Sequence, residues 1–297
     1  MSISSIIPNK EEMTSAGMQY YGLLGDYIGG VWGTAIGLLT LTAVFFTWRT
    51  SKKVDYRAKV YGIFTEMLRT HEEIVGSLRI NERFGRDVLA NILSEFYHIY
   101  ELTKKYESDD NIWDVETRID ISYIYTYYGT HLLSEDLLKG YGEEKIKGFN
   151  DLLQISKREN RNSKRTFSGH QNRLSHYFRN IYSAYGFIEK SKLSNSEKMS
   201  LGKVLRSKLS NYEQAILAIN SMSSLGTQWE YSGLLQKYKV IKNIPKKFLT
   251  FENDFSLKKR FPYIDFEWED TKNSKLKTHQ KSFFNTQIII IRRTSKK

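Results

Sequence analysis

Between Tyr27 and Trp48 run 22 residues without a single Asp, Glu, Lys or Arg. As a helix rising about 1.5 Å per residue, the run is roughly 33 Å long, enough to cross the core of a bilayer. Core helices seldom go this far uncharged. A signal peptide has a basic start, a shorter apolar stretch and a small-residue cleavage site. Here Glu11, Glu12 and Asp26 precede the run against Lys10 alone, and Phe45, Phe46, Thr47, Trp48 and Arg49 close it. The expectation is a retained transmembrane helix over 27–48.

Gly25, Gly29, Gly33 and Gly37 recur at every fourth position through its first half. In water each would cost a helix about 1 kcal/mol against alanine. In lipid the spacing has a use. Positions four apart drift only about 40° around a helix, so the four glycines form a shallow groove opposite Tyr27, Val31 and Leu39, and small residues so spaced let two backbones approach closely. Self-association into a homo-oligomer is expected. The flank that follows holds Arg49, Lys52, Lys53, Arg57 and Lys59 against Asp55. Basic flanks stay cytoplasmic, which puts residues 1–26 outside and the bulk of the chain inside.

The remaining residues are enough for one large or two small domains. The chain has no cysteine, in keeping with a reducing compartment, and a net charge of +12 that suits anionic lipid or nucleic acid. Its three prolines, Pro8, Pro245 and Pro262, leave the middle free to be helical. Residues 55–80 read as an amphipathic helix, 83–106 as another with Val88, Ile92, Phe96 and Ile99 on one stripe, and 114–132 and 134–155 as two more. The basic stretch 156–165 reads as a linker and domain boundary. Beyond it, His170, Leu174, Tyr177, Ile181, Ala184 and Ile188 fall on one face of a helix. Ser194 and Glu197 have the form of a capping box opening a second long helix, with Leu201, Leu205, Leu209, Tyr212, Ile216 and Ile219 inward. "FPYIDFEWED" and "FFNTQIIII" are aromatic and β-branched and suggest short strands near the C-terminus. The fold class expected is mainly α: an extracytoplasmic 1–26, a transmembrane helix 27–48, a helical stalk 49–155, a basic linker 156–168, a helical core 169–245 and a C-terminal segment 246–297.

The second long helix carries a polar stripe of Arg206, Ser210, Glu213 and Asn220, and the preceding helix offers His176, Arg179 and Asn180. One reading makes these a buried network with Glu213 paired to Arg179 or Arg206, where loss of a partner costs about 3–5 kcal/mol. The other is a site for RNA cleavage or a small anionic trigger, with His176 as general acid or base and arginines holding phosphate. Arg165 and His170 also match the R-x4-H spacing of HEPN ribonucleases. No Walker A motif, G-x-S-x-G, HExxH or cysteine cluster is present, and no two histidines stand three or four residues apart as a helical metal site requires. No metal, no cofactor and no hydrolase chemistry of the usual kinds is expected.

"GHQNRLSHYFRNIYSAYGFIEKSKLS", then "LRSKLSNYEQAILAINSMSSLG" and "LLQKYKVIKNIP", together resemble the signature of the phage abortive infection family, the AbiC-type proteins. The matching positions are His170, His176, Tyr177, Arg179, Asn180, Tyr182, Arg206, Leu209, Ser210, Asn211, Tyr212, Glu213, Asn220 and Tyr238. The resemblance implies antiphage defence in the bacterial inner membrane, by an effector similar to those of retron systems, with a phage-derived trigger or another defence component as partner. A tethered HEPN-like ribonuclease using His170, His176 and Arg179 is the alternative.

Overall fold

Helix α1 runs from Lys10 to Ser77 as one element of 68 residues. A computed structural model describes residues 10–106, 113–159, 167–252 and 255–269, and of 10–13 and 16 the backbone alone. The chain divides into two compact units, 1–62 and 63–297. In the first, α1 is the sole element among the described residues, and its large apolar side chains, Trp32, Leu39, Phe46 and Trp48 among them, stand exposed. It is long and apolar enough to cross a membrane, and none of its most apolar window is buried. A helix apolar all round and uncovered among the described residues fits a single membrane span.

The second unit begins with the end of α1 and a small hairpin, β1 (Arg79–Ile80) antiparallel to β2 (Arg83–Phe84). Asn81 makes its tight turn at φ 52°, a left-handed conformation that asparagine tolerates. Then follow α2 (Arg86–Tyr106), α3 (Val115–Tyr128), α4 (Leu132–Leu138), α5 (Glu143–Glu159), α6 (Gln171–Lys190), α7 (Asn195–Lys208), α8 (Asn211–Met222) and three short turns of helix, α9 (Gln228–Tyr231), α10 (Leu234–Tyr238) and α11 (Leu257–Arg260). The stripe expected on α2 is buried at all four positions, and the face expected on α6 is buried from His170 to Ile188. Residues Arg118–Thr126 of α3 are buried without interruption, so this helix lies in the interior. Its two charged groups are partnered there: Arg118 pairs with Glu252, and Asp120 accepts from the Tyr141 hydroxyl at 2.8 Å and from the Ser224 amide at 2.8 Å.

Three expectations are corrected. The single helix expected after Ser194 is two, because the chain turns extended at Leu209 and Ser210 (ψ 120° and 168°) and restarts at Asn211. The helix expected over 134–155 is likewise broken at Gly142, which takes φ 106°. In 261–269 there is no strand. Phe261, Ile264 and Phe266 are buried as separate anchors, and a chain that inserts side chains singly in this way leaves its backbone without a ladder to join. The "FFNTQIIII" stretch lies outside the described residues. Helix α5 extends to Glu159, into the basic stretch, and residues 160–166 lie outside the described set.

The capping box at Ser194 is present in both directions: the hydroxyl accepts from the Glu197 amide, and the Glu197 carboxylate accepts from the Ser194 amide at 3.0 Å. Ser194→Ala should lower the unfolding free energy by about 1 kcal/mol, measurable by thermal denaturation.

Candidate functional site

Three groups of residues carry chemistry, and they occupy different places. On α1 the glycine face is open. A Cβ built at Gly25, Gly29, Gly33 or Gly37 meets no atom within 4 Å. The hydroxyls beside it are turned inward on their own helix. Thr34 donates to the Gly30 carbonyl, Thr40 to Ile36, Thr42 to Leu38 and Thr47 to Ala43, at 2.5–2.8 Å. Those threonines therefore leave no spare donor on the surface of this helix.

The second group is a buried charge staple around Glu213. Ser210 caps α8 with its hydroxyl, which places Glu213 at the third helical position, where its carboxylate returns to the Ser210 amide at 2.8 Å. The same carboxylate accepts from His71 Nε2 at 2.9 Å and from Arg86 Nε at 3.1 Å. Arg86 goes on to the Lys208 carbonyl at 3.2 Å and to Glu72 at 3.3 Å. Glu213 and Arg86 together thus tie the end of α1, the start of α2, the end of α7 and the start of α8. Glu213 and His71 are both fully buried. Burial alone would raise the Glu213 pKa; the hydrogen bonds from His71 and Ser210 outweigh it and hold the carboxyl below its ordinary 4.5. The His71 ring lies 5.7 Å from the ring of Tyr177, whose buried hydroxyl has no hydrogen-bond partner among the described residues. Glu213 is thus paired with His71 and Arg86, while Arg206 instead donates to the carbonyls of Tyr238 (3.0 Å) and Lys239 (3.3 Å). There it holds the left-handed turn at Lys239 (φ 50°). His71 and Arg86 have no local signature in the sequence, since their partner is 142 and 127 residues away.

The other motif residues also act as fastenings. Asn220 donates to the Tyr123 hydroxyl at 3.1 Å, Tyr238 donates to Glu189 at 2.7 Å, Tyr182 stands edge-on to Trp229, and Tyr212 packs against Phe248 beside Asn211 at the start of α8. His170 precedes α6 and is buried. Its amide donates to the carbonyls at the end of α3, Thr126 at 3.1 Å and Tyr127 at 2.8 Å, and its Nε2 faces Glu95 at 3.4 Å.

The third group is near the surface, with His176 and Arg179 exposed and Asn180 half-buried. His176, Arg179 and Asn180 line one side of a groove of about 450 Å³, opposite Ile63, Met67 and Ile74. His176 and Arg179 are brought together there, one turn apart on α6. His170 is not with them: it is buried and absent from the groove lining. Arg165 lies outside the described residues. No cluster of three or more metal-ligating side chains occurs among the described residues.

No curated protein and no solved structure matches this chain. A family model does, over residues 169–249, from the glycine before His170 to the end of the segment that Arg206 fastens. The chain is similar over that span to the family described as "Putative phage abortive infection protein", the one that its HYFRN and LSNYE blocks resemble.

Proposed function

We propose that the protein is an abortive infection effector of the bacterial inner membrane. It is held there by residues 27–48 with the second unit in the cytoplasm, and it acts by disrupting the membrane once its glycine-faced helices associate in response to infection. The observation that carries this reading is the open glycine face on an apolar helix that nothing in the described chain covers. Without a hydrophobic drive between helices in lipid, such a face gains energy only from close backbone packing, and the natural occupant is a second copy of the same helix. The matched family supplies the biological setting, and lipid, further copies of the chain and a phage-derived trigger or another defence component are the partners.

Gly29→Leu and Gly33→Leu fill the groove without adding charge. Both variants should remain in the membrane fraction while killing of infected cells is lost, read as colony survival with and without phage. Unchanged killing by both removes the glycine face from the mechanism. A voltage-sensitive dye supplies the timing: depolarisation should precede growth arrest. Arrest in cells that stay polarised contradicts membrane disruption and directs attention to a cytoplasmic activity.

A further inference from the structure

On the side of α6 that bears Ser175, Phe178 and Tyr182, the second unit contains a cleft of about 350 Å³, a size within the ordinary range for small-molecule sites. Five aromatic side chains line it: Tyr127, Tyr128, Phe178, Tyr182 and Trp229. They are held in place. The Tyr127 and Tyr128 rings meet edge-to-face at 4.8 Å, and Trp229 is buried between the edges of Tyr182 at 5.1 Å and Tyr185 at 6.3 Å. Such rings are platforms for flat heteroaromatic groups.

The polar lining is sparse. Arg179 is its one charged member, and it forms no hydrogen bond or ion pair with the described residues. No carboxylate lines the cleft, so nothing there repels a phosphate or draws a cation. Amides from Asn220 and Gln228 supply donors and acceptors of the sort that read base edges. The Asn220 amide is oriented in advance by its bond to Tyr123 and by the Gly226 backbone pressed against it, where a Cβ would stand 2.7 Å from Asn220 Oδ1. A guanidinium with no hydrogen bond or ion pair among the described residues, beside an aromatic wall, matches phosphate geometry by its fork of donors.

We infer that this cleft binds a nucleotide, with the base against the aromatic rings and the 5′ phosphate on Arg179. The inference stands apart from the membrane reading, since it concerns binding alone. A free nucleotide and one unit of a single strand present the same chemistry, and the test separates them. The full chain in detergent micelles is titrated calorimetrically with AMP, GMP, adenosine and a six-residue oligoadenylate. Saturable binding of a mononucleotide or of the oligomer, with adenosine at least about 10-fold weaker than AMP, is expected. Tighter binding of the oligomer identifies a strand as the source, and equal or weaker binding identifies the free nucleotide. Because Arg179 is exposed and forms no ion pair among the described residues, Arg179→Ala should leave the unfolding temperature unchanged and weaken binding roughly 10- to 100-fold, with Arg179→Lys in between. Absence of saturable binding by all of these ligands at concentrations on the order of 1 mM, or equal affinity in Arg179→Ala, overturns the assignment.

Discussion

Glu213→Ala should lower the unfolding free energy of the full chain by about 3–5 kcal/mol, because it leaves buried His71 and partly buried Arg86 without their anion and the Ser210 amide without its cap. Glu213→Gln keeps an oxygen for one of the three donors and should lose less than the alanine variant. Thermal unfolding followed by circular dichroism gives both values, and a loss under about 1 kcal/mol for the alanine variant would show that the staple holds nothing together. The pH dependence has a definite sign. The folded carboxyl titrates below its ordinary 4.5, so between those two values the unfolded chain binds more protons than the folded one. The stability from Glu213 is fully present above about pH 4.5 and drains away as the pH falls through the folded pKa. Glu213→Gln should flatten that part of the acid limb.

The second large effect belongs to a backbone crossing. Gly129 ends α3 and Gly169 leads into α6, with φ of 79° and 80°. Each lies so close to the other that a Cβ at Gly169 would stand 2.5 Å from the Tyr128 carbonyl carbon, and one at Gly129 would stand 2.6 Å from that of Ser168. Backbone cannot swing aside as a flexible side chain does. Left-handed strain costs about 1–3 kcal/mol and forced overpacking about 1–3 more, so Gly169→Ala should destabilise by roughly 2–6 kcal/mol. A Gly169→Ala protein that unfolds at the parent temperature would contradict the crossing. Because His170 docks its amide on the last carbonyls of α3 from the next position, the same substitution should also raise hydrogen exchange at residues 126–130.

The legible parts of the sequence were those with local periodicity. The inward face of α6, the stripe of α2 and the Ser194 cap follow from spacing within a few turns. The break before α8 carried its own signal, Ser210 followed three residues on by Glu213, the same pattern as Ser194 and Glu197. The apolar spacing masks it, because Leu205, Leu209, Tyr212 and Ile216 keep helical spacing across the break, and only Tyr212 of the four is exposed. The aromatic run 261–269 misled in the opposite direction, since ring content alone does not distinguish a strand from a loop pinned by its side chains. The centre of the staple was not legible at all, since no pattern in one sequence joins His71 or Arg86 to Glu213. The Arg179 cleft draws on α3, α6, α8 and α9, so its lining becomes visible only when the chain is folded.

The inward-turned threonines of α1 determine what kind of information its surface carries. With those hydroxyl protons spent on the turn before, the four threonines offer a neighbour contour and no donor, so at these positions a helix of another protein with the same small-residue spacing would fit about as well as its own copy. Fidelity of pairing must then come from elsewhere in the chain, or from crowding the copies together. Replacing those threonines by valine, which keeps the contour and removes the hydroxyl, should be silent.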